Sequence, residues 1–135
     1  MKIERAVEVL LIEDNRPDAE LMKEIVAEVG ILSNVHTVNN GEDALDFLRN
    51  KGRFTSSPRP DLIFLDVNMP RMNGIEFLEK ADKLLDGIYV VIVSGSPELN
   101  LINFRPPHHQ MVKPGTADEL DMTIAEMREI IRKLI

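Results

Sequence analysis

The sequence predicts an α/β domain in which helices cover both faces of a five-stranded parallel sheet, and three observations lead there. Leu62-Ile-Phe-Leu65 is an apolar run without polar alternation, the pattern of a strand buried on both sides. Short runs of this kind alternate along the chain with stretches whose apolar residues recur every three or four positions. The strongest runs stop at a polar or charged side chain, Asp66 after Leu65 and Ser94 after Val93.

Val7 to Ile12 reads as the first strand and ends at Glu13-Asp14. Asn15 and Arg16 turn the chain, and Pro17 suits the first position of a helix, where its missing N–H is no loss. Leu21, Met22, Ile25, Val26 and Val29 share one face of that helix, with Asp18, Glu20, Lys23, Glu24 and Glu28 outside it, and Gly30 closes it. Val35 to Val38 is a short second strand, Asn39-Asn40-Gly41 a turn, and Glu42 to Arg49 a helix burying Ala44, Leu45 and Leu48. Lys51 to Pro60 has no periodicity and reads as a loop. After Asp66 and Pro70, Gly74 opens a third helix that buries Ile75, Leu78, Ala81 and Leu85 and ends at Gly87. Ile88 to Val93 is the most β-branched run and predicts the fourth strand. Pro97 to Phe104 has room for about two helical turns before Pro106-Pro107 stops them. His109 to Val112 is a weak fifth strand, followed by Lys113-Pro114. Ala117, Leu120, Ile124, Met127, Ile131 and Leu134 then predict a last amphipathic helix, capped by Thr116 with Glu119 three positions on. Right-handed crossovers and this alternation suit the flavodoxin-like order 2-1-3-4-5, with a shortened fourth helix.

One domain over residues 1–135 is expected, since the length is enough for a proper core and leaves no room for an effector domain. The absence of cysteine excludes disulfides and thiolate metal sites and points to a cytoplasmic location. No apolar run is long enough to span a membrane. A formal charge of −7 with scattered Lys and Arg argues against a nucleic-acid surface; apart from the site acids, the carboxylates read as a solvated face. His36, His108 and His109 show no metal-ligand spacing and read as surface residues, and Met69 and Met72 as loop packing.

The strand-end acid, its apolar strand, and Asn68, Met69-Pro70 and Asn73-Gly74 beyond it resemble the receiver domain of two-component response regulators. Glu13, Asp14, Asp66, Ser94 and Lys113 each follow a predicted strand, in the order of that family's acidic pair, phosphoacceptor, hydroxyl and lysine. The resemblance implies that Asp66 accepts a phosphoryl group from a sensor histidine kinase or phosphotransfer protein. It also implies Mg²⁺, with Mn²⁺ as a substitute, held by Asp14, Asp66 and the backbone carbonyl of Asn68, with Glu13 acting indirectly through water or by holding Asp14. Lys113 and Ser94 would then meet the phosphate oxygens. Output through protein partners rather than a catalytic product is expected, with at most a homodimer edge along the last helix.

Taken singly, an Asp can be a turn residue, a Ser a loop hydroxyl and a Lys a solvated cation; the set in order is what singles them out. An aspartyl-phosphate phosphatase of the haloacid-dehalogenase type would need a second carboxylate two residues after Asp66, where Asn68 stands. Nucleotide-binding glycine loops are missing. A receiver-shaped module that is never phosphorylated would be marked by a lost acid or lysine, and none is lost. Two features depart from the commonest receivers. The long 51–60 loop resembles stand-alone regulators paired with phytochrome-type and related kinases. The 94–113 segment is short and carries Gln110 where an aromatic is usual, so residues 95–110 are expected to switch as a segment.

Overall fold

The computed structural model describes residues 5–67, 74–94 and 109–134. Five strands, β1 (Val7–Ile12), β2 (Ser33–Val38), β3 (Leu62–Asp66), β4 (Tyr89–Ser94) and β5 (His109–Val112), run parallel in the order β2-β1-β3-β4-β5. This is the expected doubly wound arrangement. β3, at the centre, is buried at every position, which is why its sequence has no polar alternation.

The helices are α1 (Arg16–Val29), α2 (Gly41–Arg49), α3 (Gly74–Ala81) and α4 (Ala117–Arg132). They cover the sheet in two layers. On one face α2 and α3 bury Leu45, Phe47, Phe77 and Leu78 against Leu10, Ile63, Leu65 and Ile92. On the other, α1 and α4 bury Met22, Ile25, Met127 and Ile131 against Val9, Phe64 and Val91. No described helix is long and apolar enough to cross a membrane.

Local chemistry sets the helix ends. α1 starts one residue before Pro17, because Asn15 is its cap: the Asn15 side-chain oxygen accepts from the Asp18 N–H at 3.0 Å. Asn15 is therefore more than a turn residue. Gly30 closes α1 in the left-handed conformation, φ 81°. Asn40 caps α2 in the same way through the Asp43 N–H at 2.8 Å. Thr116 caps α4 as expected, its hydroxyl oxygen accepting from the Glu119 N–H at 3.1 Å and its O–H donating to the Glu119 carboxylate at 3.2 Å.

Several expectations are corrected. β2 begins at Ser33, two residues before Val35, because β1 pairs with it along its full length. The 51–60 segment contains a 3₁₀ turn, Gly52–Phe54, whose Phe54 ring packs on Phe47. The third helix is not continuous to Leu85: Asp82 has φ 29°, and Asp82–Leu85 is a 3₁₀ turn. In α3 the fully buried ring is Phe77, with Ile75 only half-buried, and in α2 it is Phe47 rather than Leu48. The buried stripe of α4 is Thr123, Met127, Ile130 and Ile131, while Ala117 is exposed. Thr123 enters that stripe because its hydroxyl donates to the Glu119 carbonyl at 2.9 Å. The short helix expected over 97–104 lies outside the described residues, as do Met69, Pro70, Met72 and His108.

Gly74 brings α3 close to the end of β3. A Cβ there would lie 2.7 Å from the Val67 Cα and 3.1 Å from the Asp66 carbonyl oxygen. Only a residue without a side chain allows this approach, and the Gly74 N–H donates to the Val67 carbonyl at 3.2 Å.

Candidate functional site

Because all five strands are parallel, their carboxyl ends open on one side of the sheet, where such sheets place their sites. Three backbone bonds carry the ladder one step past the strands. Glu13 N–H donates to Val38 at 3.0 Å, Val67 N–H to Val93 at 3.4 Å, and Lys113 N–H to Ser94 at 2.8 Å. Those bonds fix the backbone on which Glu13, Asp66 and Lys113 stand.

Carboxylate oxygens of Glu13, Asp14 and Asp66 come within 4.8 Å of one another. Glu13 and Asp66 are buried, at 3% and 4% exposure, and Asp14 is exposed. Ser94 is buried at the end of β4. The Lys113 ammonium reaches into the cluster, with Nζ 3.0 Å from a Glu13 oxygen, 2.7 Å from Asp18 Oδ2 and 3.7 Å from Asp66 Oδ2. Glu13 also accepts from the Asn15 N–H at 3.3 Å. The structure thus gathers Glu13, Asp14, Asp66, Ser94 and Lys113 at one sheet end; Asn68 lies outside the described residues.

Two buried acids and one cation leave the electrostatics finely balanced. Burial pushes the Glu13 carboxyl up to about 7, and the hydrogen bond and charge of Asp66 push the same way, against the pull of Lys113. Burial alone would lower Lys113, but its bonds to Asp18 and Glu13 and the charges of Asp66 and Glu13 outweigh burial and hold it firmly protonated. Three hard oxygen donors converging with no sulfur or imidazole among them suit a divalent cation of the Mg²⁺ or Mn²⁺ kind. The cluster fits the divalent metal site of receivers.

The raised Glu13 value has a consequence for the metal-free protein. Folding favours the protonated form, so this contribution to stability is complete below about 4.5 and is lost as pH rises through about 7. Wild type is expected to lose on the order of 3 kcal/mol relative to Glu13→Gln over that interval. Urea midpoints of the two proteins at several pH values measure the difference, and a gap that stays constant or narrows on raising the pH contradicts the assignment.

Asp18, which helical spacing places among the solvated acids on the outer side of its helix, instead makes the shortest contact to Lys113. Its signal in the sequence is position: it lies in the first turn after a strand that ends in acids, and that turn sits beside the sheet's carboxyl edge. Other acids are also engaged. Arg5 forms a two-pronged pair with Asp61 at 2.8 and 2.9 Å, and Glu8 binds Asn34 and His36. His36 is therefore a hydrogen-bond partner of Glu8 that also meets the Phe47 ring, rather than a free surface residue. His109 on β5 contacts Glu126 of α4. Gln110 is exposed.

A family model described as the response regulator receiver domain matches residues 9–105. The response regulator Rcp1 of Synechocystis sp. is 36% identical over 90 residues, which cover 65% of this chain. The chain spans 61% of the length of that relative. Among solved structures, the phosphorylated cyanobacterial phytochrome response regulator RcpA superimposes with a TM-score of 0.77 at 30% identity, covering 93% of this chain and 91% of that one. The Mn(2+)-bound form of Rcp1 gives a TM-score of 0.74 at 28% identity, covering 88% and 90%. The anticipated likeness to phytochrome-associated regulators is thus found.

Proposed function

The chain belongs to the response regulator receiver domain family, and on that premise we propose that it accepts a phosphoryl group on Asp66 and passes the change to protein partners. The observation that carries this reading is the placement of Asp66, buried at the end of the central strand, with the Lys113 ammonium 3.7 Å from its carboxylate and two further acids beside it. An Asp66 oxygen attacks the phosphorus of a phosphohistidine. The new O–P bond forms as the N–P bond breaks, and the electron pair returns to the donor imidazole. Lys113 supplies a positive charge that follows the oxygens of the phosphoryl group, and the Ser94 hydroxyl donates to one of them.

Asp14, Asp66 and the Asn68 backbone carbonyl would hold Mg²⁺, or Mn²⁺ in its place, with Glu13 acting through water or by positioning Asp14. The cation, when bound, neutralises the acids and the charge on the transferring group. The similarity to RcpA and Rcp1 supports a phytochrome-type or related sensor histidine kinase, or a phosphotransfer protein, as the donor. Residues 1–135 would act as one receiver domain in the cytoplasm, signalling by contact with other proteins rather than by a catalytic product.

Incubation with acetyl phosphate tests the reading. Acid-stable, base-labile label is expected with Mg²⁺ or Mn²⁺ and not after chelation; a protein that takes up no label with either cation would falsify it.

A further inference from the structure

We propose that Asp18 is a positioning residue that holds the Lys113 ammonium off Asp66 until a phosphoryl group arrives, a reading that rests on Asp66 being the phosphoacceptor. Lys113 Nζ makes hydrogen-bond distances to Asp18, at 2.7 Å, and to Glu13, at 3.0 Å, but stands 3.7 Å from Asp66. That last separation is beyond a normal N–H···O bond. The cation is committed to the acid on α1 rather than to the acid that reacts.

Both ends of the Asp18–Lys113 contact are anchored. The Asp18 N–H is bound to the Asn15 side chain, and α1 is pinned below by Ala19, Met22 and Ile25. Lys113 is tied to β4 through its own N–H. What can move is the four-carbon stem of the lysine. Phosphorylation adds acceptor oxygens and negative charge at Asp66, so the ammonium is drawn there, and its displacement lengthens an existing contact. Exposure decides which one. The Asp18 side chain is 34% exposed, against 2% for Glu13, so Asp18 regains water when released, whereas Glu13 has no water to replace its lysine partner. Asp18 is the contact that yields. Its release changes the charge presented at the first turn of α1, carrying the state of Asp66 to a surface outside the acid cluster.

The test is the affinity for beryllofluoride, a phosphoryl mimic, measured by fluorine NMR at saturating Mg²⁺. Asp18→Asn keeps the cap and the shape but removes the competing charge. It is expected to tighten binding about threefold to fivefold, the range of a partly exposed ion pair. Asp18→Glu should return to near the wild-type value. In a Lys113→Ala background, Asp18→Asn should change nothing, because no cation is left to compete for. Equal affinities for wild type and Asp18→Asn overturn the proposal, as does the same shift in both backgrounds, which would mark a purely structural role. Where Lys113→Ala does not fold, the Lys113 Cε resonance decides. In metal-loaded Asp18→Asn without beryllofluoride it should already lie toward its beryllofluoride-bound position, and a resonance that stays at the wild-type position overturns the idea. A wild type that binds no beryllofluoride at all removes the reading of Asp66 itself, and this proposal with it.

Discussion

Asp66→Asn is expected to reduce phosphoryl uptake from acetyl phosphate or a phosphorylated kinase to background. An amide of nearly the same shape carries no carboxylate nucleophile, and no other described acid has the same position at the end of the central strand facing Lys113. The substitution should leave the fold intact and raise stability near neutral pH. Asp66 is one of the groups that push the Glu13 carboxyl up to about 7, so replacing it with a neutral amide lowers Glu13 toward its ordinary value while Lys113 keeps its contact to Glu13. Label incorporation and a urea melt on the same preparation measure both effects. Equal labelling of mutant and wild type would move the phosphoacceptor elsewhere. A large loss of stability would instead show that Asp66 is needed mainly to hold the strand ends.

Phe77→Ala is expected to cost about 3–5 kcal/mol, a large part of the roughly 5–15 kcal/mol that holds a domain of this kind together. The ring is fully buried on α3 and belongs to the layer that includes Ile63, Leu65 and Ile92 of the two central strands. α3 also starts at Gly74, against the backbone of Asp66 and Val67, so loosening the helix should weaken phosphoryl uptake as well as stability. Met122→Ala, on an exposed position of α4, is the control and should change stability by less than about 0.5 kcal/mol. Denaturant midpoints settle the comparison: a Phe77→Ala penalty near that of the control would mean that the layer between α3 and the sheet is not tightly packed.

The strands and their order were legible because a parallel sheet buried on both faces writes itself as uninterrupted apolar runs, and because each run stops at the polar residue that begins the site. Leu62–Leu65 followed by Asp66 is the clearest instance. Helix faces were less legible. Spacings of three and four fit more than one stripe when apolar residues are frequent, so the pattern points to Ile75 where Phe77 is the residue fully buried, and to Ile124 where Thr123 and Ile130 lie inside. Thr123 could not be found from hydropathy, since its burial depends on a hydroxyl bond to Glu119. Nor could Asp18. Helical periodicity places it outside the apolar face of α1, and only the three-dimensional approach of Lys113, 95 residues later, gives it a partner.

The fold also fixes where an optical signal from this protein would originate. The sequence has no tryptophan and one tyrosine, Tyr89, which opens the strand that Ser94 closes. At about 3.3 Å per residue, five steps put the ring roughly 16 Å along the sheet from the hydroxyl at the site. It packs with the layer that α1 and α4 share. A change in tyrosine emission when Asp66 is loaded would therefore report altered packing around Tyr89, not direct contact with the metal or the phosphate. The chain carries a built-in fluorophore at the far end of the strand, where it senses the message rather than the event.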